Sequence, residues 1–108
     1  MKKLLENHIS CNLMVWETQQ VKRNINNEVK FLVASSLNVN IGDTIIGNYS
    51  GDSVSYYEIT EIKSRRPSST TGKDYLIAET KWSNKQVNFS EYDLTNVSTA
   101  FKNAFNLM

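Results

Sequence analysis

Val54-Ser55-Tyr56-Tyr57-Glu58-Ile59-Thr60-Glu61-Ile62-Lys63 and Asp74-Tyr75-Leu76-Ile77-Ala78-Glu79-Thr80-Lys81-Trp82-Ser83 are the stretches that decide the fold. Both are rich in β-branched and aromatic residues, which suit a pleated, half-buried surface. In the second, Tyr75, Ile77 and Glu79 alternate with Leu76, Ala78, Thr80 and Trp82, the period of a strand. In the first the parity slips, because Tyr57 and Ile59 share one face and Ile62 falls on the other. A bulge near Thr60-Glu61 reconciles them, and bulges bend the strands of small barrels. Ser64–Lys73 lies between the two stretches and holds the only proline, Pro67. The pair therefore reads as a hairpin with a long, mobile tip.

Working upstream, Ile9, Cys11, Leu13 and Val15 alternate with polar or larger neighbours and predict a strand. Gln19–Asn27 is polar and reads as a connection. Glu28–Ser35 predicts a second strand with Val29, Phe31 and Val33 on one face, continuing through a bend at Ser35-Ser36 into Leu37, Val39 and Ile41. Gly42-Asp43 signals a turn, Thr44-Ile45-Ile46 a short strand, and Asn48–Ser53 a polar loop. Residues 2–8 read as a loose arm or short helix. Downstream the period changes: Leu94, Val97, Phe101, Ala104, Phe105 and Met108 form a helical stripe, and Ser90 with Asp93 resembles a capping box. A C-terminal amphipathic helix is expected over 91–106. The expected fold is one mainly β (α+β) domain spanning 1–108. Its body, 9–83, is a small antiparallel β-barrel or two-layer sheet of about five strands, with the helix on an open side.

The 108-residue chain has 40% hydrophobic residues and a net charge of +1. That size is about one domain and needs no metal or disulfide to fold. The near-neutral balance argues against binding driven by bulk charge. Cys11 is the only cysteine, so no internal disulfide exists. The Met1-Lys2-Lys3-Leu4-Leu5 start is interrupted at Glu6 before any signal-like apolar run, and no stretch approaches the roughly 20 apolar residues of a membrane span. The expected location is the cytoplasm, or a virion if the chain is phage-derived. The Asn48, Asn88 and Asn96 sequons follow from an Asn/Ser-rich composition.

No catalytic, cofactor or metal site is expected. His8 and Cys11 lack a second ligand pair for zinc, and their odd spacing on a strand turns them apart. Thr70-Thr71-Gly72-Lys73 fails as a phosphate loop, with Pro67 where glycine is required and Asp74 where Ser/Thr is required. The pairs Glu58/Glu61 and Glu79/Glu91 have no feature that sets two pKa values apart.

Two surfaces stand above the background. Lys63, Arg65, Arg66 and Lys73 lie in a segment without an acidic residue and are candidate contacts for a partner or a phosphate backbone. A solvated loop is the plainer reading of that segment. Phe101, Phe105, Leu107 and Met108 are candidate oligomer contacts, with packing on the chain's own sheet as the plainer reading.

The order Lys30-Phe31-Leu32-Val33-Ala34, Val39-Asn40-Ile41-Gly42-Asp43-Thr44-Ile45 and Tyr57-Glu58-Ile59-Thr60-Glu61-Ile62, then a basic loop and a last strand, resembles the layout of small phage head–tail connector and head-closure proteins. The similarity covers about half the chain, and a terminal helix at 91–106 departs from it. The resemblance implies a ring-forming structural protein without catalysis, with loops 19–27 and 64–73 facing neighbours or DNA. The functional expectation is a non-enzymatic interaction or assembly module with a protein partner or a homo-oligomer. The alternatives are a nucleic-acid-binding small barrel using the 63–73 tip, and a small inhibitor or regulator of a host enzyme.

Overall fold

A computed structural model describes residues 1–15, 26–50, 53–68 and 70–107. Seven strands form one sheet: β1 (Lys2–Glu6), β2 (Cys11–Val15), β3 (Asn26–Ala34), β4 (Thr44–Ser50), β5 (Ser53–Pro67), β6 (Lys73–Ser83) and β7 (Tyr92–Asp93). Their order is β2-β3-β6-β5-β4-β1-β7. A six-residue helix, α1 (Thr99–Ala104), follows. The mainly β class holds, and so does the 54–63/74–83 hairpin. Its register slips between Ile59 and Glu61, where the parity of the sequence required a bulge, and slips again between Ile62 and Ser64.

Several expectations are corrected. The sheet is mixed and is not closed into a barrel, because β2 and β7 end the strand order. Among the described residues, the end of β1 meets β2 through the isolated Asn7–Cys11 bridge and a few hydrogen bonds, without a continuous ladder. Residues 2–6 form neither arm nor helix but a strand parallel to β4 and to β7. Leu4 and Leu5 are both fully buried, since β1 has neighbours on either side and cores on both faces. Such a strand shows a continuous apolar run instead of alternation. Leu37–Ile41 does not extend β3: a 3-10 turn, Ser35–Leu37, ends that strand, and Ile41 is exposed. In the polar 48–53 segment, β4 runs to Ser50 and β5 begins at Ser53, while residues 51 and 52 lie outside the described residues. Ile9 lies outside β2 and is exposed. The connection expected at 19–27 falls, up to residue 25, outside the described residues.

The helix expected at 91–106 is confined to Thr99–Ala104. Asn88 accepts the Ser90 N–H, Asp93 accepts the Thr95 N–H, and the helix cap is Ser98, whose hydroxyl accepts the Phe101 N–H. Short polar side chains that bond nearby backbone compete with helix, and residues 88–98 form a 3-10 turn at Phe89–Glu91, the short strand β7 and a turn before Ser98. The apolar stripe still does its work: Val97 and Phe101 are buried, and Leu94, Phe105 and Leu107 pack beside them.

Two cores result, one on each face of the shared strands. Leu5, Phe31, Ile45, Tyr57, Ile59 and Leu76 belong to the first. Leu4, Ile46, Tyr56, Tyr92, Val97 and Phe101 belong to the second. Successive strand residues point to opposite faces, so Leu4/Leu5, Ile45/Ile46 and Tyr56/Tyr57 each split between the two.

Candidate functional site

The distal half of the β5–β6 hairpin carries the cations singled out in the sequence. The expected long loop is short, because β5 continues to Pro67 and β6 resumes at Lys73. The tip is clasped by the Ser68 N–H, which donates to the Lys73 carbonyl at 2.9 Å.

Two of the four cations, Lys63 and Arg65, have carboxylate partners within the chain. Lys63 Nζ lies 3.1 Å from Glu79 Oε1 and 3.4 Å from Glu28 Oε2. Hydrogen bonds to these carboxylates, Glu79 first, raise the Lys63 pKa. Arg65 reaches the buried Asp74, with Nη1 3.5 Å from Oδ2, and its Nη2 donates to the Val39 carbonyl. Arg66 is exposed on β5. Lys73, also exposed, begins β6 opposite Ala34 of β3 and lines a separate cleft.

The backbone of the same region was not foreseen. β4 pairs with β5 only over Ser53–Glu58. Ile59 then closes the ladder, its N–H donating to the Asp43 carbonyl and its carbonyl accepting from the Gly42 N–H, both at 2.9 Å. From Glu61 to Pro67, β5 pairs with β6 on one side and, among the described residues, with no strand on the other. Among the described residues this edge is open; it carries Glu61, Lys63, Arg65, Arg66 and Pro67. The outer side of β2 is capped instead: the Leu13 N–H donates to Asn7 Oδ1, and the Cys11 carbonyl accepts the His8 N–H, both at 2.8 Å.

The apolar C-terminal candidates divide as well. Phe101 is fully buried in the second core, so it cannot serve a neighbouring copy. Phe105 and Leu107 are half-buried against that core, and Tyr49 stacks edge-on to Phe101 and Phe105 at 5.2 and 6.1 Å. Met108 lies outside the described residues. Cys11 is buried, and desolvation, with a smaller contribution from Glu6, pushes its thiol up to about 12. A thiol so disposed is not a nucleophile at neutral pH. Among the described residues no group of His, Cys, Asp and Glu could hold a metal ion, and no helix is long and apolar enough to cross a membrane. No protein-family model, no curated protein and no solved structure matches the chain.

Proposed function

We propose that this chain is a non-enzymatic interaction module that docks an extended, acidic segment of a partner protein along the open edge of β5. The Glu61–Pro67 edge carries the reading. Strand addition takes affinity from main-chain hydrogen bonds and selectivity from alternate side chains. Lys63 and Arg65 are held in place by their own carboxylates, and Arg66 is left to meet an incoming one. A second copy fits this edge poorly. Like charges opposite one another destabilise a strand pair, which disfavours a second copy of this basic edge and favours an acidic strand. The capped β2 is no better a mate. A connector-type assembly role belongs to this reading as the case in which the partner is another structural protein.

The test is fluorescence anisotropy with a labelled peptide of alternating Glu and Val, together with amide exchange. The peptide is expected to slow exchange within 61–67 and to bind less tightly as salt rises. Arg66→Glu should weaken it by about 5-fold. Unchanged exchange in that segment sinks the proposal. Tighter, salt-sensitive binding of an oligothymidylate than of the peptide would replace it with the nucleic-acid reading.

A further inference from the structure

One cleft has none of the β5-edge residues 61–67 in its lining. It measures about 560 Å3 and is framed by the β1–β2 turn, the end of β3 with the 35–37 turn, Lys73, and residues 95–97. That volume lies within the range of small-molecule sites, about 300–1,000 Å3. Apolar side chains that are not fully buried, Ile9, Leu32, Ala34 and Leu37, contribute to its lining. His8 and Lys73 stand at its rim with the amides of Asn12 and Asn96. Among the described residues no Asp or Glu lines it, although the chain as a whole has 12 Lys and Arg against 11 Asp and Glu.

The neighbouring carboxylates are engaged elsewhere. Asp74 accepts from the Ser35 hydroxyl at 2.7 Å and faces Arg65, so it does not neutralise Lys73. Glu6 fastens two walls together. Its carbonyl accepts the N–H groups of Ile9 and Ser10 at 3.1 and 3.0 Å, and its carboxylate accepts the Ser98 N–H at 2.8 Å. His8 is held at φ 72, a left-handed conformation, with its N–H on the Cys11 carbonyl. Such conformations persist where the surrounding bonds over-determine them, and a site on a fixed scaffold is the more selective. Gly72 receives the Ser35 N–H at 3.0 Å, which fixes the approach to Lys73.

We infer that this cleft binds a small organic anion, with an apolar body against Ile9, Leu32 and Ala34 and a carboxylate or phosphate end near His8 and Lys73. The inference does not depend on the β5 edge.

The test is an NMR titration of the full chain with benzoate and phenyl phosphate, against benzyl alcohol and inorganic phosphate as probes lacking the charge or the body. Saturable shifts are expected at residues 8–12, 73 and 96, from at least one of the two anions. The relative affinity of the two anions identifies the preferred head group. Lys73→Met, an exposed substitution, should raise Kd about 10-fold. Benzyl alcohol should bind more weakly by a similar factor, and Arg66→Glu should leave the titration unchanged. Saturation without shifts at these residues, no saturable binding of either anion, or equal affinity for benzyl alcohol overturns the inference.

Discussion

Gly47 sits where a side chain has no room. A Cβ there would stand 2.7 Å from Tyr57 Cε2, the edge of a buried ring in the first core. The β4–β5 register shifts between Ile46 and Asn48, so this glycine occupies an irregularity where backbone and ring approach closely. Gly47→Ala is expected to cost about 1–3 kcal/mol, read from the urea denaturation midpoint. An unchanged midpoint would show that Tyr57 can move. Cys11 yields a prediction with a definite sign. Its thiol is raised from 9.0 to about 12 by burial, so folding favours the neutral form. The resulting stability is fully present below pH 9 and is lost as pH rises toward the folded value. The slope is about 1.4 kcal/mol per pH unit. Denaturation midpoints on either side of pH 9 should fall more steeply in the parent than in Cys11→Ala. Native protein should also resist a thiol reagent that labels the unfolded chain at once. Rapid labelling of the folded protein would contradict the buried placement.

At the level of elements, Glu6 is the joint between β1 and the C-terminal segment. It is buried, and its carboxylate caps the Ser98 N–H at the start of α1. Glu6→Ala leaves that N–H without its acceptor, which costs about 1–3 kcal/mol. Amide exchange should accelerate at Val97 and Phe101 before it does in β3 and β6; uniform acceleration would refute the local role. The elements that were legible in the sequence are those whose own residues alternate or are rich in β-branched and aromatic side chains. The β5–β6 hairpin, its first bulge and the Val29, Phe31 and Val33 face of β3 follow from parity alone. β1 was not legible, because Leu4 and Leu5 enter two cores at once and its partners, β4 and β7, are about 40 and 90 residues away. The helix was overextended because the apolar stripe from Leu94 to Phe105 is real, while Asn88, Asp93 and Ser98 divert the backbone between its members. The cations were visible in the sequence but their partners were not. Glu28 reaches Lys63 across β6, a relation fixed only by strand order. The open β5 edge has the same origin, since it depends on how far β4 runs alongside.

For the molecule as a whole, the decisive property is that two cores share one set of strands. Ile45 and Ile46, and Tyr56 and Tyr57, are consecutive residues facing opposite cores, so neither face can lose its packing without disturbing the backbone that supports the other. Small domains with this kind of continuity unfold in one step. Phe101→Ala tests the coupling from the periphery. The ring is fully buried, stacks on Tyr49, Phe89 and Phe105, and belongs to the second core alone. Its removal should cost about 3–5 kcal/mol. If the shared strands bind the cores into one unit, amides of Phe31 and Leu76 in the first core lose as much protection as those of Ile46 and Tyr56, and calorimetry shows a single transition in parent and variant alike. Retained protection at Phe31 and Leu76, with a separate low-temperature transition, would mean that the C-terminal segment and its core form a detachable layer on an independently stable sheet.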